Sequence, residues 1–412
     1  MNKLRSRVAV GPLRRPVIPI PAMPAVDPLV AELRPVEPVY CIRPGVLQAT
    51  AARFVTDFPG DVLYAVKCNP EPAVLRALWR GGVRHFDCAS PGEIRLVRQL
   101  FAEARIHYMH PIKAPSFIRQ AYFEYGVRDF SLDSLEEIDK IVAATDGAAD
   151  LGLYVRLAMP KGQTSYDLSG KFGAPPELTV ALLRAARAVS ARLGLCFHVG
   201  SQCLDPQVYG RALALAGAVI AEAGVAIDGV DVGGGFPVSY PDETPPALGH
   251  YFEAIGRGFA RLGLPPHVRL WCEPGRALVA AGASLVVRVE ARRDDVLHIN
   301  DGIYGNLSDA GLLKWRFPAR LIRLDGTPSG EQLIAFSFYG PTCDSVDFMT
   351  GPFMLPADMG PGDWIELGQL GAYGACLRTG FNGFDRTLIT EVSDQPLLAT
   401  PGHLDQSALT AA

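Results

Sequence analysis

The sequence predicts an α/β fold: a (β/α)₈ barrel of the TIM type, followed by a β-rich domain built as a barrel or a sandwich. Two observations support this. Eight short apolar runs alternate with amphipathic segments between residues 61 and 276, and the pattern becomes strand-rich after about residue 277. Barrels of this type need on the order of 250 residues, so eight units in this span favour closure over a doubly wound open sheet, the alternative.

Each predicted barrel strand is β-branched or aromatic, and the segment after it has helical periodicity. The first strand runs over residues 61–67; Pro72 suits the first turn of its helix and Gly81 ends it. Ser134 and Glu137 have the spacing of a capping box, in which hydroxyl and carboxylate satisfy free N–H groups at a helix start. The other barrel strands are predicted at residues 85–88, 105–110, 127–133, 151–157, 195–199, 227–232 and 268–272.

The chain divides into four predicted segments. Residues 1–35 form a Pro-rich arm, extended or loosely attached, because closely spaced prolines cannot continue a helix. Residues 36–60 supply a strand near residues 36–42 to the β-rich domain and then a linker. Residues 61–276 form the barrel and residues 277–412 the β-rich domain. Strands of the latter are predicted at residues 285–291, 296–300, 319–324, 333–339 and 364–367.

Composition excludes several classes of protein. Hydrophobic residues make up 49% and charged residues 20%, and the formal net charge is -4. Nucleic acid and anionic membranes are therefore not expected partners, since the chain has no strong basic field. The eight cysteines lack paired metal-ligand spacing, which predicts reduced thiols, no metal site and a cytoplasmic protein. No apolar stretch is long enough to span a membrane.

Unusual polar residues and a glycine run fall at the carboxyl ends of the predicted strands. Active sites of such barrels form at that face, so this shared placement predicts one site. The residues are Lys67, Asp87, Arg156, His198, Gly233, Gly234, Gly235 and Glu273.

These residue types suit a phosphorylated pyridine cofactor. Lys67, partly desolvated, would have a lowered pKa and form an imine. The glycines let backbone N–H groups approach a phosphate, although tight turns also use glycine. Glu273 could hold a proton on a pyridine nitrogen, or pair with Arg276. His198 could stack on the ring, or be a core histidine.

The β-rich domain adds further candidates. Asp344 could pair with a substrate ammonium, and Cys343 is reactive if its surroundings stabilise the thiolate. Tyr373 lies among small residues that suit close approach to a phosphate. Phe381 belongs to an aromatic turn, which on its own would indicate packing.

Taken together, these motifs resemble the fold-type III pyridoxal-phosphate decarboxylases, and among them the ornithine decarboxylase group. They follow the family's order from about residue 40 to 395. The matching stretches are Tyr-Ala-Val-Lys67-Cys-Asn-Pro, Phe-Asp87-Cys-Ala-Ser, His198-Val-Gly-Ser201-Gln, Gly-Gly-Gly-Phe-Pro237, Glu273-Pro-Gly-Arg276, Asn300-Asp-Gly-Ile-Tyr304-Gly, Gly-Pro-Thr-Cys343-Asp344-Ser, Gly-Ala-Tyr373 and Phe381-Asn-Gly-Phe384.

The resemblance implies a role for each position. At the cofactor, Lys67 would bind pyridoxal phosphate as a Schiff base, His198 would stack on the ring and Glu273 would pair with the pyridinium. Cys343 would protonate the substrate carbon and Asp344 would bind the distal amine, both in the neighbouring subunit's site, which implies a homodimer with shared sites. The phosphate would be held by Ser201, Gly234, Gly235, Arg276 and Tyr373.

The implied reaction is decarboxylation of a basic L-amino acid, ornithine to putrescine or lysine to cadaverine, as in polyamine biosynthesis. Phe381 would line the apolar wall at the substrate carboxylate, and Tyr304 would lie at the substrate. One departure concerns specificity: where ornithine decarboxylases carry a second aspartate for the distal amine, this chain has Leu312-Leu313-Lys314, and the nearest acid is Asp309.

The sequence is also compatible with other substrates and with other classes of protein. One methylene in a pocket is worth only about 1–3 kcal/mol, so ornithine, lysine and mixed specificity are all compatible with the sequence. A diaminopimelate decarboxylase or an amino-acid racemase would use a similar barrel. A catalytically dead regulatory relative is a further alternative, although the chain retains Lys67, the glycine run and Arg276.

Overall fold

The N-terminal segment packs against the C-terminal sheet. The computed structural model describes residues 17–160, 170–327 and 330–403. It begins with β1 (Val17–Pro19), α1 (Val26–Leu33), β2 (Val39–Ile42) and α2 (Pro44–Asp57). The prediction of an extended arm is wrong over α1, which buries Val26, Leu29 and Val30, and the predicted linker is largely the helix α2. Residues 1–16 of the arm lie outside the described residues.

Eight parallel strands close the barrel, with the last strand paired to the first. The predicted barrel is therefore confirmed, and the open sheet is wrong. The strands are β3 (Asp61–Ala65), β4 (His85–Cys88), β5 (Arg105–Tyr108), β6 (Asp129–Leu132), β7 (Gly152–Arg156), β8 (Arg192–Cys196), β9 (Gly229–Asp231) and β10 (Arg269–Cys272).

The barrel helices begin where the sequence supplies N-terminal signals. Four of the eight carry proline in their first turn, where a missing N–H costs nothing. These are α3, α4, α5 and α7. The helices are α3 (Pro72–Arg80), α4 (Pro91–Leu100), α5 (Pro115–Phe123), α6 (Leu135–Ala144), α7 (Pro176–Val189), α8 (Gln207–Ala223), α9 (Leu248–Ala260) and α10 (Arg276–Val279).

The capping box predicted for α6 forms only in part. The Ser134 hydroxyl accepts a hydrogen bond from the Glu137 backbone N–H at 3.2 Å, as predicted. The Glu137 carboxylate does not return to the helix start; it lies 3.0 Å from the Nζ of Lys113. Lys113 is only 3% exposed, and a buried ammonium requires a counter-charge, which outweighs the cap.

The second domain is a nine-stranded sheet that includes both N-terminal strands. β2 lies between β11 and β17, which confirms that an N-terminal strand joins this domain. The sequence did not predict β15 and β17; Gly351 and Pro352 interrupt β15 and are typical of a turn. The remaining elements are β11 (Ala283–Arg293), β12 (Val296–Ile299), α11 (Ser308–Leu312), β13 (Ala319–Ile322), β14 (Leu333–Tyr339), β15 (Phe348–Pro356), β16 (Trp364–Leu367) and β17 (Thr387–Glu391).

A buried amide joins the two domains beside the barrel opening. Asn69 donates to the Tyr40 hydroxyl at 3.0 Å and to the Gly371 carbonyl at 2.8 Å. The Tyr40 hydroxyl in turn donates to the Leu370 carbonyl at 3.0 Å. The turn after β3 is thus fixed to β2 and to the loop after β16, so both domains shape this end of the barrel.

The described ranges contain neither a candidate membrane span nor a candidate metal cluster. No helix there combines the length and the apolar character that a membrane span requires. Over the same residues, no group of three or more His, Cys, Asp or Glu side chains is arranged to hold a metal ion.

Candidate active site

Lys67 lies in a short 3₁₀ turn at the end of β3, with its side chain 46% exposed in the barrel opening. Its Nζ lies 3.6 Å from the Oδ2 of Asp87, a buried side chain on β4. The Asp87 charge raises the pKa of Lys67, and Glu273 adds to that effect. The expectation of a lowered pKa is therefore wrong here, because the carboxylates outweigh desolvation.

Glu273 follows β10 and is part of a group of carboxylates. Its backbone N–H donates to the Gly233 carbonyl at 2.8 Å, which fixes its place. Burial, with the charges of Asp231 and Asp87, raises the pKa of Glu273 well above its ordinary value. The buried Oε1 has no hydrogen-bond partner among the described residues. A buried unpaired carboxylate oxygen needs a donor, and the protein leaves that place open.

Asp231 was missed by the sequence reasoning. It is fully buried at the end of β9, and its Oδ1 accepts a hydrogen bond from the Gly233 N–H at 2.8 Å. Burial raises its pKa to about 6, while the hydrogen bond from the Gly233 N–H acts in the opposite direction. An aspartate between an apolar run and three glycines was the available signal.

Glu93 is a second residue that the sequence reasoning missed. Its Oε2 accepts from the Ala89 N–H at 2.7 Å, and its own N–H donates to the Ser90 hydroxyl at 3.3 Å. Burial raises the pKa of Glu93 to about 7, and Asp87 contributes to that rise while Lys67 opposes it. The Ser-x-x-Glu spacing was readable as a helix cap.

His198 is held as a neutral ring. Its Nδ1 accepts a hydrogen bond from the Gly200 N–H at 3.0 Å, which places the proton on Nε2. Burial, together with the charges of Arg156 and Lys67, lowers the pKa of His198 well below its ordinary value. A neutral imidazole at this position suits a flat contact with an aromatic ring.

The glycine run is required by close backbone contacts. Gly233 and Gly235 have φ values of +68° and +105°, which favour glycine. A Cβ on Gly235 would lie 2.4 Å from the Gly200 carbonyl oxygen, and one on Gly234 would lie 2.7 Å from the Glu273 carbonyl oxygen. The run thus forms a narrow cradle of backbone groups.

Gln202 fixes this cradle to the neighbouring loop. Its Oε1 accepts from the Val238 N–H at 3.1 Å, and its amide nitrogen donates to the Val238 carbonyl. Ser201, the residue before it, lines the same cavity as the glycines.

Arg276 begins α10 and is enclosed by rings and a carboxylate. It donates to the Tyr240 hydroxyl at 2.9 Å and to Asp309 Oδ2 at 3.2 Å. The guanidinium carbon lies 3.9 Å from the ring centroid of Trp315 and 4.9 Å from that of Tyr373. Asp309 therefore pairs with Arg276, which lines the cavity of Lys67, and does not lie beside Asp344. No sequence signal indicated Tyr240 or Trp315.

The β-rich domain carries a separate group of polar and aromatic residues, which we call the sheet-domain cluster: Tyr304, Cys343, Asp344, Phe381 and Asn382. The Tyr304 hydroxyl donates to Asp344 Oδ2 at 2.5 Å, and its ring centroid lies 4.7 Å from that of Phe381. Asn382 Oδ1 accepts from the Cys343 N–H at 3.1 Å. Cys343 and Phe381 are exposed.

The structure therefore divides the predicted site residues into two groups. One cavity at the barrel opening, which we call the barrel mouth, gathers most of the first group; Asp87 and Arg156 adjoin it, since their charges act on Lys67. No member of the sheet-domain cluster lines that cavity. Its predicted lining residues are Lys67, His198, Ser201, Gly234, Gly235, Glu273, Arg276 and Tyr373.

The donor and acceptor set of the barrel mouth fits pyridoxal phosphate. The unpartnered Oε1 of Glu273 would accept the pyridinium N–H, and the glycine cradle with Arg276 provides donors and charge for a phosphate. The Lys67 amine is the group that could bind the aldehyde. Each part of the cofactor thus has a matching partner in one cavity.

Comparison with known proteins agrees with this fit. Residues 45–280 match the family model of the pyridoxal-dependent decarboxylase pyridoxal-binding domain, and residues 281–371 match its C-terminal sheet domain. The first match alone covers more than half of the chain. The chain belongs to the pyridoxal-dependent decarboxylases, and it is a pyridoxal-phosphate-dependent carboxy-lyase.

Similar proteins include enzymes of basic amino acids. The chain is 35% identical over 345 residues to the lysine/ornithine decarboxylase of Selenomonas ruminantium, covering 81% of this chain and 84% of that protein. The Vibrio vulnificus lysine/ornithine decarboxylase complexed with putrescine superimposes with a TM-score of 0.76 at 32% identity, over 88% of this chain and 96% of the other. Antizyme inhibitor 2 of Xenopus laevis is 32% identical, covering 79% of this chain and 74% of that protein.

Proposed function

We propose that this chain decarboxylates a basic L-amino acid with pyridoxal phosphate, with L-ornithine as first substrate and L-lysine as second. The observation that carries the proposal is the pairing of the Lys67 amine with Asp87 in the cavity where Glu273 presents an unpartnered oxygen. Pyridoxal phosphate, when bound, supplies the electron sink that loss of carbon dioxide requires. The protein supplies position and charge.

The barrel mouth would hold the cofactor. Lys67 would bind its aldehyde carbon, neutral His198 would lie against the ring, and Glu273 would keep a proton on the ring nitrogen. Asp87 and Arg156 set the charge around Lys67. The phosphate is held by Ser201, Gly233, Gly234, Gly235, Arg276 and Tyr373.

The sheet-domain cluster would serve the site of a second copy of the chain. Cys343 donates a proton to the substrate carbon that loses carbon dioxide, and Asp344 binds the distal amine. Tyr304 orients the Asp344 carboxylate, and Phe381 lines the apolar wall at the substrate carboxylate. The exposure of Cys343 and Phe381, away from the cavity of Lys67, supports a homodimer with shared sites.

The length of the substrate side chain depends on the loop that contains α11. Asp309 is only 8% exposed, and its carboxylate contacts Arg276. Asp309 could therefore meet a distal amine only by sharing its oxygens with Arg276. Leu313 follows it without a charge, so Asp344 is the principal ligand of the distal amine in this proposal.

The test is a side-by-side measurement of carbon dioxide release from L-ornithine, L-lysine, L-arginine and meso-diaminopimelate by the holoenzyme. We expect the highest kcat/KM for ornithine, with lysine next. Turnover of meso-diaminopimelate alone would overturn the substrate class in favour of a diaminopimelate decarboxylase.

A second readout separates substrate choice from cofactor binding. Borohydride reduction of the holoenzyme should fix pyridoxal phosphate to the peptide that contains Lys67, as peptide mass spectrometry can show. A chain that neither releases carbon dioxide nor traps the cofactor on Lys67 would be a regulatory relative, and the proposal would be wrong.

A further inference from the structure

A second cavity opens at the end of the barrel opposite to the cofactor residues. It lies at the amino ends of the strands and has a volume of about 630 Å³, room for a hydrated ion. His85 lines it, two residues before Asp87 on β4, and Trp271 lines it, two residues before Glu273. The strands thus carry one site at each end, and we call this second opening the barrel floor.

The barrel floor concentrates positive charge in a chain whose formal net charge is -4. Five arginines and two aspartates line it, and Arg128 is paired at 2.6 Å with Asp150 outside the lining, so a local excess of two positive charges remains when the histidines are neutral. The arginines are Arg98, Arg105, Arg128, Arg192 and Arg269, and the aspartates are Asp61 and Asp129.

Part of this charge is paired with aspartates at the ends of other barrel strands. Arg269 lies 2.9 Å from Asp61, and Arg192 lies 2.9 Å from Asp129. These pairs explain the stability of the strand ends, which is the usual role of this face of a barrel. They leave part of each guanidinium free, since the side chains of Arg269 and Arg192 are 63% and 43% exposed.

Arg105, unlike Arg192 and Arg269, has no aspartate partner on another strand. It begins β5, its side chain is exposed, and within residues 17–160, 170–327 and 330–403 no carboxylate pairs with it. An arginine presents five N–H donors in a planar fork that matches an oxyanion. One unpaired guanidinium and two partly free ones, which line the same cavity, supply the donors that a tetrahedral oxyanion needs.

Two histidines connect this charge to the barrel interior. His85 Nδ1 lies 3.0 Å from His107 Nε2, and His107 Nδ1 lies 3.1 Å from Asp129 Oδ2. When the His107 proton is on Nδ1, beside Asp129, His85 Nδ1 donates to His107 Nε2, and the Nε2 of a neutral His85 is an acceptor. Protonation of His85 would turn that atom into a donor for an anion.

Several charged groups act on His85. Burial and the neighbouring His107 lower its pKa to about 4. An anion in the barrel floor would act in the opposite direction, because it favours the charged ring. The other charged or titratable groups that act on His85 are Asp61, Arg105 and Asp129.

We propose that the barrel floor is a binding site for a small tetrahedral oxyanion, held by Arg105 with Arg192 and Arg269, and that the anion draws a proton onto His85. The site lies apart from the phosphate cradle of the cofactor, which is at the other end of the strands. It does not depend on which amino acid the enzyme decarboxylates.

The test is a titration of the holoenzyme with sodium sulfate, followed by ¹⁵N-histidine NMR. Sodium chloride keeps the ionic strength constant, and sulfate does not titrate between about pH 5 and 8. We expect saturable shifts of the His85 and His107 rings, assigned with His85→Gln, and tighter binding at pH 5 than at pH 8. Inorganic phosphate should give the same shifts if the site accepts any tetrahedral oxyanion.

Three arginine variants provide the contrast. Arg105→Ala should weaken sulfate binding at least about tenfold, because it removes a charged bidentate donor. Arg95→Ala, on the outer side of α4 and absent from the cavity lining, should leave binding unchanged. Arg105→Lys, which keeps the charge without the fork, should lie between them.

Three results would overturn the proposal. One is the absence of saturation in the His85 and His107 signals. Another is equal sulfate affinity in the Arg105→Ala and Arg95→Ala variants, with thermal denaturation showing that both are folded. The third is a sulfate response confined to His198, which would place the anion in the cofactor cradle.

Discussion

The barrel mouth and the sheet-domain cluster are built in different ways. In the mouth, backbone contacts leave little freedom: a Cβ on Gly235 would lie 2.4 Å from a carbonyl oxygen, and Asn69 fixes the turn beside Lys67. In the cluster, the decisive side chains are on the surface, and Cys343 is the exposed cysteine of the described residues. One region is complete within a chain, whereas the other presents its chemistry outward.

This difference separates the tasks of the two regions. A cofactor must be held in one orientation, and buried carboxylates such as Glu273 and Asp231 are suited to that because their environment is fixed. A substrate must enter and leave, so residues that contact it can lie at an interface. The following substitutions each change either a buried residue of the barrel mouth or an exposed residue of the sheet-domain cluster.

The largest effect is expected for Glu273→Gln in the barrel mouth. The amide keeps the shape but removes the charge that would hold a proton on the ring nitrogen, so kcat should fall about 100- to 1,000-fold. Borohydride should still fix the cofactor to Lys67. Steady-state kinetics on the best substrate checks this, with the exposed Glu253→Gln on α9 as the control. A kcat within a few-fold of wild type would contradict the proposed role.

A smaller effect is expected for Asp344→Asn in the sheet-domain cluster, and it should appear in KM and not in kcat. Loss of one charged hydrogen bond costs about 1.5–3 kcal/mol, so KM should rise about 10- to 100-fold. Cofactor affinity should not change, because Asp344 does not line the cofactor cavity. Asp57→Asn, exposed on α2, is the control. Weaker cofactor binding in Asp344→Asn would show that the two regions are not separate.

The smallest effect is expected for Gly235→Ala, which tests the rigidity of the cradle. Gly224→Ala is a matched control, since Gly224 also has a positive φ (+65°) but a Cβ there meets nothing within 4 Å. Both variants carry the backbone strain of about 1–2 kcal/mol. Only Gly235→Ala should also lower pyridoxal phosphate affinity, by about tenfold or more. Equal affinities in the two variants would mean that the cradle is not tight.

Much of the division between the barrel mouth and the sheet-domain cluster could be predicted from the sequence. Local patterns predicted the eight barrel strands and the residues at their carboxyl ends, because period and placement need no tertiary information. The resemblance to the ornithine decarboxylase group also implied that Cys343 and Asp344 serve the site of a neighbouring subunit. Helix α1 was not predicted, since the prolines near it masked an apolar face that Val26, Leu29 and Val30 bury.

What the sequence could not supply were interactions between distant residues. The raised pKa of Lys67 depends on the distance to Asp87, and the pairing of Asp309 with Arg276 depends on how the two domains meet. The Glu137 carboxylate was predicted to cap a helix, but in the structure it forms an ion pair with the buried Lys113. Each difference arises from contacts between residues that are distant in the sequence, which a linear pattern does not contain.

The central claim is that one active site uses the barrel mouth of one chain and the sheet-domain cluster of another. Mixing the Lys67→Ala and Cys343→Ala variants after reversible dissociation tests it most directly, because each variant lacks a group that the proposed reaction requires. In an equal random mixture half of the dimers are mixed, and each has one intact site, so activity should recover to about a quarter of the wild-type value. If activity stays at the sum of the two inactive variants, each chain contains its own complete site, and the account is wrong.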